Sequence, residues 1–292
     1  MVVRVPLRSP FQGAAERTAT LVEGPSGWGE ISPFPGYPTD PAAAEAAAME
    51  AATGTWPAPL RRSIPVAAAV GAVEPDRAAA LAAAATAGWP APLTVKVKVG
   101  TGDDGGRVAA VRAALGPGAR IRVDANGAWD VDTAAATLRR LARHDLEFAE
   151  QPVATLEELA ALRRLVEVPL AADEAVRGLA DARRLAALDA ADLLVVKVQA
   201  AGGVAAGLEL AAAAGRPVVV SSLVETSVGL AAGVALAACL PDTGHAHGLG
   251  TGAMLAADVV AEPLVPVAGR LAVRRPAPDE ALLARWAVLT RT

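Results

Sequence analysis

A chain of 292 residues, 53% of them hydrophobic, has ample material for a large core and suits one α/β barrel with an appendage. A net charge of −4, with never more than two adjacent basic residues, argues against a nucleic-acid partner. The single Cys239 excludes an internal disulfide framework and fits a cytoplasmic protein. The longest apolar run, residues 228–240, is too short to cross a membrane and reads as a buried helix. No basic segment leads into an apolar one, so no signal peptide is expected.

Residues 1–62 differ in texture from the rest of the chain. Residues 2–7 and 17–22 alternate like two strands, a loop rich in Gly and Pro carries Trp28, Phe34 and Tyr37, and an alanine-rich helix runs over about 41–52. That is a small α+β unit. Aromatic residues are 3% of the chain, so four of them (with Phe11) in the first 37 positions mark a surface that packs on something. It is either the mini-core of this unit or a lid over a substrate.

From residue 63 the chain becomes regular. Apolar runs like buried parallel strands recur at 64–71, 93–99, 120–124, 146–150, 169–173, 193–197, 217–221 and, weakly, 245–248. Helical segments lie between them at 106–115, 131–142, 156–165, 179–188 and 204–214, and Thr155 with Glu158 has capping-box spacing. A strand–helix repeat of about 25 residues, run about eight times, predicts a (β/α) barrel over 63–262. An open doubly wound sheet is the alternative, but no glycine-rich phosphate fingerprint follows the first strand. Residues 263–292, with a last helix over 279–289, are expected to return and pack on the N-terminal unit.

Within Thr94-Val95-Lys96-Val97-Lys98-Val99, period 2 puts Lys96 and Lys98 on one strand face. Of 27 basic residues only three are lysine: these two and Lys197. Arginine does not lose its proton in a protein, whereas a partly buried lysine can, so the three read as acid/base equipment. Barrel enzymes place their chemistry at the C-terminal ends of the strands. The polar residues closing successive runs are Lys96 and Lys98, Asp124, Glu150, Asp173 and Lys197. One acid after a strand is ordinary helix-capping chemistry, but that reading gives no reason for lysines to flank the acids. Three converging carboxylates repel unless a cation holds them, and an all-oxygen set points to Mg2+ or Mn2+ rather than zinc. A metal on a substrate carboxylate would stabilise the dianion formed when the adjacent carbon loses its proton. A lysine beside it, with its pKa lowered by the cation and the second lysine, would be the base. His245 and His247 have spacing compatible with metal ligation. With His144 at the far end of the barrel, the pair reads instead as strand-eight residues near the pocket in a structural role.

These motifs resemble the enolase superfamily in its muconate-lactonizing-enzyme-like subgroup, over essentially the whole chain. Lys96-Val97-Lys98 resembles the paired lysines of the second strand, and Val123-Asp124-Ala125-Asn126-Gly127 the first metal-ligand motif. Glu150-Gln151-Pro152 resembles the second, Ala172-Asp173-Glu174 the third, and Lys197 before Gly202-Gly203 the opposing lysine. The resemblance implies a modified (β/α)7β TIM-type barrel with a small α+β capping domain. It implies Asp124, Glu150 and Asp173 as metal ligands, with Asn126 and Glu174 supporting them.

Within the subgroup, residues 27–36, Ser221-Ser222 with Glu225-Thr226-Ser227, and Gly248-Leu249-Gly250-Thr251 resemble the o-succinylbenzoate synthase family of the menaquinone pathway, of the short actinobacterial type. That implies dehydration of a small-molecule carboxylate, a cyclohexadiene carboxylate bearing a succinyl group (SHCHC). Lys98 would take the proton next to the metal-bound carboxylate and then help hydroxide leave. Lys197 would stabilise the enediolate from the opposite face, and Lys96 would tune Lys98. Ser221, Ser222 and Gly248 would offer hydroxyls and backbone N–H groups to the succinyl carboxylate, or serve only as turn chemistry. There are departures: the N-terminal unit is short, and Val198 and Gln199 follow Lys197 where racemase-like relatives commonly have Pro. The rivals are racemisation or epimerisation of an N-acylamino acid or dipeptide at the same site, and a non-catalytic barrel that binds a carboxylate.

Overall fold

The computed structural model describes residues 1–288. β1 (Val2–Phe11) and β2 (Ala14–Gly24) form an antiparallel hairpin whose inward face alternates through Val3, Val5 and Leu7 on one strand and Ala19 and Leu21 on the other. Its two-residue tip, Gln12-Gly13, has both φ angles positive (47° and 81°), as a hairpin turn requires. β3 (Gly27–Ile31) pairs with β2, although its sequence reads as loop because Gly27 and Gly29 interrupt the alternation. Gly29 is there for packing: a Cβ would lie 1.9 Å from the carbonyl oxygen of Ala48 on α1 (Pro41–Thr53). The Asp40 side chain caps α1 by accepting from the Ala42 N–H, and Pro41 takes the first helical position.

The predicted first barrel strand, 64–71, is divided. β4 (Ser63–Pro65) pairs antiparallel with the tail, and only β5 (Ala68–Val70) joins the barrel. Between them Val66 and Ala67 donate to Gly269 and His247, in different directions, which breaks the run into two pairings. The chain continues through α2 (Pro75–Ala85), β6 (Thr94–Lys98), α3 (Asp104–Leu115), β7 (Arg120–Asp124), α4 (Val131–Leu141), β8 (Leu146–Glu150), α5 (Leu156–Arg163), β9 (Leu170–Ala172) and α6 (Leu179–Leu188). Then come β10 (Leu193–Lys197), the single turn α7 (Val198–Ala201), α8 (Val204–Ala214), β11 (Val218–Ser221) and α9 (Ser227–Cys239). β5 to β11 make one parallel sheet in chain order. Residues 245–248 close the circle through two bridges, His247 with Val66 and Gly248 with Ser221. The expected capping box at Thr155 and Glu158 is present. α9 is buried over nearly its whole length, which is why it is apolar all round, and among the described residues no helix is long and apolar enough to cross a membrane.

The tail packs at two places. β12 (Arg270–Ala272) pairs with β4, and α10 (Glu280–Trp286) lies against β1, with the Val288 N–H donating to the Val2 carbonyl. The last helix is shorter than its pattern predicts, and residue 289 lies outside the described residues. Inside the barrel, Phe148, Ala171, Leu193, Val195 and Val219 form a small apolar layer.

Candidate active site

The barrel register explains the even spacing of the charged residues. Lys98, Asp124 and Glu150 are direct neighbours across β6, β7 and β8, so one βα unit separates each from the next in sequence. Lys96 Nζ lies 2.9 Å from Asp124 Oδ2 and 2.8 Å from Glu150 Oε1. Lys98 Nζ lies 2.6 Å from Asp124 Oδ2 and donates to Asn126 Oδ1 at 2.6 Å. Lys197, at the end of β10, pairs with Asp173, and its ammonium sits 4.0 Å from the centre of the Tyr37 ring. The three carboxylates are almost fully buried, at 1–2% exposure.

Burial and mutual repulsion compete with the lysines here. Burial, joined by the neighbouring Asp124, pushes the Glu150 carboxyl up to about 7. Asp124 suffers the same burial, but Lys96 and Lys98 outweigh it and hold its pKa well below the usual carboxylate range. Burial alone would discharge Lys96; Asp124 and Glu150 overcome it and raise its pKa. Lys197 is raised likewise, burial being outweighed by Asp173 and Glu174. The Tyr37 phenol is driven upward by burial and by Asp173, and donates to Asp173 Oδ1 at 2.8 Å.

Among the described residues no three His, Cys, Asp or Glu side chains form a finished metal cage, and each of these carboxylates is turned toward an ammonium group. The donor set nevertheless fits a hard divalent cation. It offers three oxygen-only ligands at neighbouring strand ends, burial and then the neighbouring Asp124 raise the Glu150 carboxyl, and Glu174 Oε2 is buried without a partner among the described residues. Supporting groups hold the set in place. Asn126, in the left-handed region at φ 47°, turns its Oδ1 to Lys98 and its Nδ2 to Glu174 Oε1 at 2.7 Å. Gln151 accepts from the Asp173 N–H at 2.7 Å and donates to the Val153 carbonyl.

Ser221, Ser222 and Gly248 line the same pocket. The Gly248 N–H donates to the Val220 carbonyl at 2.8 Å, and a Cβ at this position would lie 2.7 Å from Ser221 Oγ, so the glycine also leaves space in the pocket. In the Gly202-Gly203 pair, Gly202 ends α7 in the left-handed region at φ 95° and Gly203 serves packing. The cap residue Glu50 accepts from the Val204 and Ala205 N–H groups, where a side chain at 203 would strike it. His247 is buried, kept neutral with its pKa lowered to about 3 by that burial, and accepts from the Val220 N–H. His245 is not near the pocket. It lies toward the N-terminal ends of the strands, where Nδ1 meets Glu147 at 2.8 Å and the ring packs edge-on to Phe148.

The cap supplies residues that motif reading did not assign to the site. Phe11, Gln12, Phe34 and Tyr37 line the mouth, and Gln12 Nε2 donates to Asn126 Oδ1 at 3.2 Å. Of the four early aromatic residues, three line this pocket and Trp28 lines the cap–barrel seam beside Trp56, while all four lie in or against the apolar cluster of the cap. The loop carrying Phe34 is fastened by Arg17, 2% exposed, which donates to the Ser32, Pro33 and Val224 carbonyls and stacks 4.7 Å from the Phe34 ring. Glu30 accepts from Ser32, Thr226 and Gly229, and Gln199 joins Ser32 to Glu225. Parity along β2 contained a signal for Arg17, which occupies an inward position in line with Ala19 and Leu21.

The chain matches the family described as Enolase C-terminal domain-like over residues 76–278, and that described as Enolase N-terminal domain-like over 2–52. It is 53% identical over 277 residues to the o-succinylbenzoate synthase of Thermobifida fusca (strain YX), covering 93% of this chain and 86% of that protein. It is 48% identical over 289 residues to the o-succinylbenzoate synthase of Mycobacterium ulcerans (strain Agy99), covering 97% and 86%. Among solved structures, muconate lactonizing enzyme from Pseudomonas fluorescens complexed with muconolactone matches with a TM-score of 0.86 at 22% identity, over 98% of this chain and 97% of that one. N-succinyl Arg/Lys racemase from Bacillus cereus ATCC 14579 matches at 0.82 and 22%, over 99% and 96%. At that identity the structural likeness speaks for the fold alone.

Proposed function

Because the chain belongs to the enolase superfamily, we propose that it is an o-succinylbenzoate synthase, a hydro-lyase that removes water from SHCHC in menaquinone biosynthesis. The observation that carries the chemistry is the pair of lysines, Lys98 on β6 and Lys197 on β10, four strands apart around one mouth with buried carboxylates between them. The likeness to the two synthases supports the choice of substrate.

In this reading Asp124, Glu150 and Asp173 hold a divalent cation, Mg2+ or else Mn2+, which when bound supplies positive charge to the substrate carboxylate and to the dianion derived from it. Lys98 Nζ, aimed by Asp124 and Asn126, takes the proton from the carbon next to that carboxylate. It then returns the proton to the departing hydroxyl, so that one C–H and one C–O bond break and the ring becomes aromatic. Lys197 stays protonated between Asp173 and the Tyr37 ring, and stabilises the enediolate from the other face. Lys96 fixes Asp124 and Glu150 and tunes Lys98. Ser221 and Ser222 offer hydroxyls to the succinyl carboxylate, while Gly248 leaves it room. Asn126 and Glu174 hold the ligands and base in line. Residues 1–62 with 263–292 are read as the cap and 63–262 as the barrel, working on a free small-molecule carboxylate in the cytoplasm.

Purified protein given SHCHC and Mg2+ should produce aromatic absorbance, and EDTA should abolish it. No product with metal present would remove the dehydration reading. Opposed lysines also suit epimerisation of an N-acylamino acid, which would reveal itself as exchange of the substrate α-hydrogen in heavy water without loss of water.

A further inference from the structure

The pocket between the lysines is small, about 60 Å3. Beside it lies a cavity of about 490 Å3, in the size range that holds a small organic ligand. The two share Phe11, Ala68 and Ala69. Ala68 and Ala69, on β5, form the common floor. Phe11, just before the hairpin tip, is the partition, set edge-on to Phe34 with ring centres 6.1 Å apart. No side chain given a part in the dehydration lines the larger space.

Its chemistry is specific. Leu81, Trp89, Met254 and Val265 make apolar walls, and the charged groups lining it are Arg8 and Arg77, with no Asp or Glu. Arg8 is steadied by its Nε, which donates to the Ala253 carbonyl at 3.1 Å. An apolar hollow with two cations and no acids selects a ligand with an apolar ring and one or more carboxylates. That is also the ligand class proposed for the catalytic mouth next door. Beside the partition, Gly13 at the hairpin tip sits in the left-handed region, and the space where its Cβ would lie is open.

We propose that the larger cavity is an antechamber on the substrate's route. It takes up a ring-bearing carboxylate on Arg8 and Arg77, and displacement of Phe11 passes the ligand to the lysines. The proposal rests on reading the chain as an enzyme of such acids.

Trp89 in the antechamber wall is the reporter. Titrating the Mg2+-loaded enzyme with o-succinylbenzoate, a ring-bearing dicarboxylate that needs no turnover, should change tryptophan fluorescence saturably. Trp89→Phe should remove most of that change while calorimetry still detects binding. The double substitution Arg8→Glu with Arg77→Glu should raise KM for SHCHC by about fivefold or more, affect kcat far less, and lose its effect as salt is raised. Arg183→Glu, exposed on α6 and lining neither cavity, should change neither constant. Binding with no Trp89 signal, or a KM within twofold of the parent, would overturn the antechamber. A changed molecular mass of the double variant in sedimentation would overturn it too, by making this face a contact between copies. If the parent protein binds o-succinylbenzoate at Trp89 but does not dehydrate SHCHC, the binding site is supported and the dehydration reading falls.

Discussion

Lys96 and Lys98 sit two residues apart and share Asp124, yet their remaining partners differ. Lys96 meets a second carboxylate, Glu150, whereas Lys98 meets the neutral amide of Asn126. Two carboxylates make Lys96 a fixed charge that keeps buried acids from repelling one another. Lys98 is the residue set beside a neutral acceptor, which gives its assignment as base a local basis that strand parity does not offer. If Lys98 moves a proton, charge alone will not replace it. Lys98→Ala should lower kcat by about 10^3-fold, and Lys98→Arg should be nearly as poor because a guanidinium keeps its proton. Retention of activity within tenfold in Lys98→Arg, measured as kcat with SHCHC, would show that only positive charge is needed there. At this scale the sequence was readable because arginine fills almost every other basic position. Tyr37 was legible only as one of four early aromatic residues, since an aromatic residue in a loop carries no mark of the side it faces, and only the folded cap lays it on Lys197 and Asp173.

Between elements, the firmest junction of cap and barrel is buried and polar. Arg17 from β2 and Glu30 from β3 reach the residues following β11, the Ser32 N–H donates to Gln199 after β10, and the loop with Phe34 hangs from the same group. Exchanging Arg17 for a shape-filling Met removes the donor from two buried carbonyls and one half-buried one, and leaves two nearby acids without their cation. The expected loss is about 2–4 kcal/mol in urea unfolding, together with a KM raised more than kcat is lowered, because the lid is held less well. A folded Arg17→Met protein with unaltered KM would mean that Phe34 and Tyr37 keep their places without the latch. Most helices and barrel strands followed from periodicity, since one face of each is buried against the next layer. β3 and the division of 64–71 did not. In both places a glycine or a chain of hydrogen bonds to distant residues, Ala48 in one and Gly269 and His247 in the other, decides the structure. Periodicity reports which face is buried, not which partner buries it.

For the molecule as a whole, the repeat that identified a barrel is the same feature that leaves its closure hard to read. The eighth position is held by two single bridges, so residues 245–248 carry little strand pattern, and a charged cluster lies near this seam. Arg122, 1% exposed, stacks 4.5 Å from the Phe148 ring and donates to the Ala246 carbonyl at 2.6 Å and to Glu147 at 2.5 Å. A register shift between β7 and β8 leaves Glu147 out of the ladder and free to meet both Arg122 and His245. Burial acts to raise the Glu147 carboxyl, but the His245 hydrogen bond and Arg122 overcome it and hold the pKa at about 2, against an ordinary 4.5. Since the folded value lies below the unfolded one, the cluster's contribution is complete above about pH 5 and disappears as pH falls through 4.5 toward 2. The shift corresponds to at most about 3 kcal/mol. Glu147→Gln should therefore be less stable than the parent by about that amount at pH 7. The gap should narrow as both are unfolded in urea at successively lower pH, because protonating Glu147 in the parent leaves Arg122 as alone as the substitution does. A gap that stays constant from pH 7 to pH 3 would mean that Glu147 acts at this seam by shape and not by charge.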